Sequence, residues 1–125
     1  IEELLRFDGP SKAMWRIAAG DHELGGKSIE KGARVLLVQA AANRDPAVFN
    51  RPDELDISRD NASAHITFGY AAHYCIGAPF ARMEARVGFG ALLKRMPDLA
   101  LSETPHRWYP ALLNRALLSL PVQRG

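Results

Sequence analysis

The chain has 125 residues, 47% hydrophobic and 24% charged, ordinary globular values that exclude a disordered or collagen-like polypeptide. Sixteen basic and 14 acidic residues leave a net charge of +2, interspersed without a run of like charge, so no nucleic-acid-binding stripe is evident. A single cysteine excludes an internal disulfide, and no apolar run approaches the roughly 20 residues that span a bilayer, which predicts no membrane segment and a cytoplasmic location.

If compact, a chain of this size buries about two-thirds of the surface it exposes when unfolded. It opens at Ile1 in "IEELLRF", which reads as the middle of a helix and so as part of a longer chain. Ile1, Leu4 and Leu5 recur at helical spacing, and "DGP" at 8–10 supplies the stop. From Met14 to Val38 the runs are short and partly alternating. Gly25-Gly26 between two of them predicts a hairpin within one small, mostly antiparallel sheet. Residues 40–65 are polar and turn-rich without a period, and loops of that length inside a domain are often functional. Pro79 then suits the first turn of a long helix whose apolar stripe includes Met83, Val87, Phe89 and Leu93, read as core packing, with "MPD" at 96–98 as its stop. In the tail, "ALLNRALLSLPV" fits either a strand pair or a short helix.

The lone Cys75 lies in "HITFGYAAHYCIGAPFARMEAR", just before that long helix. There the unpaired N–H groups and the helix dipole favour a negative charge, and hence a thiolate able to bind metal. Gly69 and Gly77 flank it and permit close approach of a bulky ligand, while Phe68 offers a flat apolar face and His73 a polar donor. The alternatives are a buried apolar thiol, a zinc ligand with His65 and His73, or a nucleophile. The zinc reading lacks clustered four-ligand spacing, and the nucleophile lacks an Asn or Asp context. His22, His65 and His106 read as structural or exposed.

"FGYAAHYCIGAPFAR", Phe68 to Arg82, resembles the haem-binding signature of the cytochrome P450 family, Phe-Gly-x-Gly-x-His/Arg-x-Cys-x-Gly. "ELLR" resembles that family's Glu-x-x-Arg helix, and "ANRDPAVF" the segment opening its meander. Order and spacing agree from Ile1 to about Val122. The resemblance implies an α+β fold, mainly helical with small antiparallel sheets, and makes residues 1–125 the C-terminal haem-binding segment of a soluble, bacterial-type member. It implies a haem b cofactor with Cys75 as axial ligand to the iron, Phe68 packed beside the sulfur, and His73 and, with weaker support, Arg16 on the propionates. Glu3 and Arg6 would form a buried ion pair. A small-molecule substrate, dioxygen and an electron-donor ferredoxin or reductase are the implied partners, with Arg82, Arg86 and Lys94 available to attract an acidic donor.

Two departures stand out. Ala71 occupies the signature's second glycine, a strained substitution if that position needs positive φ. "RPDELD" lacks the meander arginine that usually joins the Glu-x-x-Arg pair, so either Arg51 or Arg59 replaces it or the network has only two members. The only Ala-Gly, Ala19-Gly20, continues as "DHE", so the distal-helix Ala-Gly-x-x-Thr pattern is absent. The resemblance therefore implies a segment that does not hydroxylate by itself, or a non-catalytic paralogue that at most binds haem.

Overall fold

The computed structural model describes residues 1–125. Helix α1 (Glu2–Asp8) carries Glu2 and Glu3 in its first turn and Arg6 in its last, the arrangement the helix dipole favours. Strands β1 (Met14–Ile17) and β4 (Arg34–Leu37) pair antiparallel, with Met14 opposite Leu37 and Ile17 opposite Arg34. Between them in sequence, β2 (His22–Leu24) and β3 (Lys27–Ile29) form the expected hairpin, its Gly25-Gly26 turn at φ of 58° and 73°. These are two separate ladders rather than one sheet. Ala18 N–H bonds the Ala33 carbonyl and Gly32 N–H the Ala18 carbonyl, which closes the β1–β4 ladder below the hairpin.

Helix α2 (Gln39–Ala42) is one short turn, and residues 43–65 run as turns ending in a 3-10 turn at Ala62–Ala64. After a second 3-10 turn, Ala71–His73, the long helix α3 (Ala78–Arg95) begins with Pro79 in its first turn and ends at Met96, just before Pro97. The tail resolves into strands: β5 (Leu99–Leu101) pairs with β8 (Val122–Arg124), and β6 (Arg107–Trp108) with β7 (Leu117–Ser119). It clasps the segment after α1. Lys12 N–H bonds the Leu113 carbonyl, Arg115 N–H bonds the Pro10 carbonyl, and the Arg115 guanidinium bonds Asp8 while lying 3.6 Å from the Trp108 ring centre.

Thirteen residues are buried, and only five of them are large or small hydrophobes (Ala13, Ala18, Phe49, Ala62, Ala78). Glu3, Arg6, Gln39, Asn43, His65 and Thr67 make the centre polar, and every buried side-chain nitrogen and oxygen has a partner. This knot joins α1, α2 and the turn before Gly69. Asn43 Nδ2 donates to Thr67 Oγ1 at 2.8 Å, Thr67 Oγ1 donates to the Leu5 carbonyl at 2.7 Å, and Gln39 Nε2 donates to the Ile66 carbonyl at 2.8 Å.

The chain exposes 9432 Å². A compact monomer of 13.8 kDa would expose about 6,600 Å². The α3 stripe accounts for part of the difference. Met83, Val87, Phe89 and Leu93 are exposed rather than core. The expectation of core packing is corrected: periodicity identified an apolar face but not its cover.

Candidate functional site

Cys75 lies on the loop between the Ala71–His73 turn and α3, with its side chain exposed. Its N–H donates to the Phe68 carbonyl at 2.8 Å, and its own carbonyl accepts from Ala78 N–H at 3.1 Å. The loop is therefore tied at both ends of the cysteine. Gly77, the residue preceding α3, lies next to the Cys75 sulfur, where a β-carbon would make ordinary contact at 3.7 Å. Gly69 has φ of 82°, and a β-carbon there would meet the His73 carbonyl oxygen at 3.0 Å, so only glycine suits the position. Ala71 also has positive φ, at 50°, which an L side chain adopts at a cost.

His73 and Gly69 face a cavity of about 400 Å³, with Met14, Leu37 and Ile66 supplying apolar wall. Arg16 lines the same cavity from β1 and donates from Nη1 to the Trp15 carbonyl at 2.9 Å. Residues 57 positions apart in the chain thus share one cavity. The Phe68 ring is half-buried on another side of the loop, 6.0 Å from the His65 ring, 6.3 Å from the Tyr74 ring and 4.7 Å below the Arg82 guanidinium.

Behind the loop, Arg6 uses all five N–H donors. Nε reaches Glu3 Oε2 at 2.6 Å and Nη2 reaches Glu3 Oε1 at 2.8 Å. The others go to the carbonyls of Asn43, Pro52 and Glu54. Arg59 adds its Nε to both Glu3 oxygens, and Asp56 N–H donates to Oε1. Hydrogen bonds from Arg6, Asp56 and Arg59 outweigh burial and hold the Glu3 carboxyl at about 2.

Glu2, absent from the sequence expectations, organises a second cluster. Arg82 Nη2 donates to Glu2 Oε2 at 2.8 Å, Arg82 Nε reaches Oε1 at 2.9 Å, and Arg82 Nη1 reaches the Tyr74 hydroxyl at 2.9 Å. His65 is buried; its Nδ1 accepts from Thr67 N–H at 3.2 Å, which leaves the Nε2 proton to donate to Glu2 Oε2 at 3.1 Å. Burial pushes the His65 pKa down against the pull of Glu2, and the Arg82 hydrogen bond holds Glu2 below the usual carboxylate range. Arg82 is thus committed inside the fold and is not a free docking cation, whereas Arg86 and Lys94 are exposed. No spacing rule pairs Glu2 with partners 63 and 80 residues away.

Residues 1–104 match the family model for cytochrome P450. The chain belongs to the cytochrome P450 family. It is 45% identical to the cytochrome P450 monooxygenase PikC of Streptomyces venezuelae over 98% of this chain and 30% of that protein. With the biotin biosynthesis cytochrome P450 of Bacillus subtilis it shares 41% identity over 98% of this chain and 31% of the relative. The crystal structure of P450BioI in complex with hexadec-9Z-enoic acid ligated acyl carrier protein superposes with TM-score 0.94 and 40% identity, over 99% of this chain and 32% of that one. The testosterone complex of CYP109E1 from Bacillus megaterium gives 0.95 and 31% identity, over 98% and 34%. The chain therefore has the fold of a cytochrome P450 portion and spans about a third of the length of the relatives it matches. No helix is long and apolar enough to cross a membrane.

Proposed function

We propose that this chain is the C-terminal haem-binding segment of a haem-thiolate monooxygenase, with Cys75 as the axial ligand to the iron of haem b. The observation that carries the reading is the exposed Cys75 on a loop pinned at Phe68 and Ala78, whose Gly69 and His73 line an apolar-walled cavity together with Arg16. That donor set fits haem: a soft sulfur for iron, apolar wall for the macrocycle, and two side chains suited to carboxylate edges.

In this reading Cys75 would ligate the iron through its sulfur from the residues just before α3, where unpaired N–H groups favour an anionic ligand atom. His73 and Arg16, which line one cavity, would hold the haem through its propionates. Gly69 keeps the loop backbone clear of a β-carbon, and Gly77 leaves room beside the sulfur. Phe68, whose carbonyl accepts the Cys75 N–H, holds the stretch of loop that carries the sulfur. Glu3, Arg6 and Arg59 hold the loop's foundation rigid. When bound, haem supplies the iron centre for dioxygen-dependent oxidation of an organic substrate, with the thiolate's electron donation assisting O–O cleavage. Exposed Arg86 and Lys94 offer an acidic electron donor, such as a ferredoxin or reductase, a complementary edge.

The test is haem titration of the chain. Saturable one-to-one binding, weakened at least about tenfold by His73→Ala and by Arg16→Ala, supports the propionate roles; equal affinity in both variants contradicts them. A second reading is a non-catalytic paralogue that at most binds haem. Upstream DNA separates the two. An in-frame extension encoding Ala-Gly-x-x-Thr on a long helix favours the enzyme, and a stop codon or frameshift favours the paralogue.

A further inference from the structure

Cys75 is joined to Phe68 by backbone and Phe68 is joined to Arg82 by its ring. We infer that Glu2, His65 and Arg82 are positioning residues that clamp Phe68 and thereby fix the backbone of Cys75; the inference rests on the haem-thiolate reading only for its purpose.

The geometry gives each residue a separable part. Phe68 is the node, because its carbonyl accepts the Cys75 N–H at 2.8 Å while its ring lies 4.7 Å below the Arg82 guanidinium. A guanidinium over an aromatic face is attracted by the ring quadrupole, but only while its plane is held there. Glu2 does the holding: it takes Nε and Nη2 of Arg82 in a fork, which fixes both the distance and the tilt of the plane. Tyr74, next to Cys75 in the chain, takes the remaining side of the same guanidinium through its hydroxyl. His65 orients Glu2, since its Nδ1 is occupied by Thr67 N–H and its Nε2 proton is left for Glu2 Oε2.

The four side chains come from α1, the buried run before Gly69, the cysteine loop and α3. They bracket the loop independently of the Glu3–Arg6–Arg59 cluster, with which they share no hydrogen bond. A lysine at 82 would keep the charge but lose the fork and the flat face. Loosening the guanidinium should therefore free Phe68 and weaken one specific bond, Cys75 N–H to the Phe68 carbonyl, without opening α3.

The experiment is residue-resolved amide hydrogen exchange on the 125-residue chain, with and without haem, in wild type, Arg82→Lys, Glu2→Gln, Phe68→Leu and the Phe68→Leu/Arg82→Lys double variant. Arg82→Lys and Glu2→Gln are each expected to speed exchange at Cys75 about tenfold while amides in the middle of α3 change less than about twofold. In the Phe68→Leu background, Arg82→Lys should add little, because the path runs through the ring. No change at Cys75, an equal effect with or without the Phe68 ring, or faster exchange throughout α1 and α3 overturns the inference. Haem ligation is scored separately by the ferrous–carbon monoxide spectrum. Coupled exchange without a thiolate spectrum rejects the haem reading alone, and a thiolate spectrum with uncoupled exchange rejects the clamp alone.

Discussion

Arg59 aims its Nε at both carboxylate oxygens of Glu3, 3.2 Å from Oε1 and 3.1 Å from Oε2, across 56 residues of chain. Arg51, the other candidate third member, pairs instead with Glu54 at the surface, where both side chains are more than half exposed. Burial decides the energetic difference between the two arginines. Arg59 and Glu3 are 7% and 4% exposed, so removing Arg59 takes one of two cations from a buried carboxylate that keeps only Arg6.

The first prediction follows from that contrast. Arg59→Ala should destabilise the chain by about 3 kcal/mol in urea unfolding, and Arg51→Ala by less than about 1 kcal/mol. Comparable losses would contradict the assignment of Arg59 as third member of the cluster.

The second concerns acid stability. Glu3 is held at about 2, below its ordinary 4.5, so the folded carboxylate resists protonation that the unfolded chain accepts. The unfolded state then binds more protons in this window, and stability falls as pH falls. The Glu3 contribution should be complete above about pH 4.5 and decline toward pH 2, by about 3 kcal/mol in all. Denaturant midpoints measured across that range should fall steeply in wild type and less steeply in Glu3→Gln. Equal slopes would show that Glu3 does not carry the acid sensitivity.

The third uses Ala71, whose φ of 50° sits where glycine is at ease and an alanine β-carbon is crowded. Ala71→Gly should raise stability by about 1 kcal/mol despite glycine's greater unfolded entropy. A loss of stability would mean that the methyl group makes compensating contacts in the loop.

Much of this arrangement was legible in the sequence because its signals are local. The strain at Ala71 follows from one substitution in a ten-residue pattern, the hairpin from Gly25-Gly26, and α3 from Pro79 and the Met96-Pro97 stop. Glu3 and Arg6 were marked by the resemblance of "ELLR" to the family's Glu-x-x-Arg helix. Glu2 was not, because its partners His65 and Arg82 lie on other elements and no period connects them. The adjoining Glu-Glu pair in the first turn of α1 is the one hint, since neighbouring helical positions point about 100° apart and serve different clusters. The tail stayed ambiguous for a related reason: β7 and β8 become strands by pairing with β6 and β5, about ten and twenty residues upstream. The α3 stripe illustrates the reverse limit. Its apolar period is real, yet what covers it cannot be read from the period.

The central claim is that Cys75 binds haem iron as thiolate, and the ferrous–carbon monoxide absorption spectrum of the haem-loaded chain tests it most directly beside Cys75→Ala. Wild type is predicted to give the Soret band shifted to the long wavelengths typical of thiolate ligation, and Cys75→Ala to lose it. Absence of that band in wild type, or its survival in Cys75→Ala, would contradict the account.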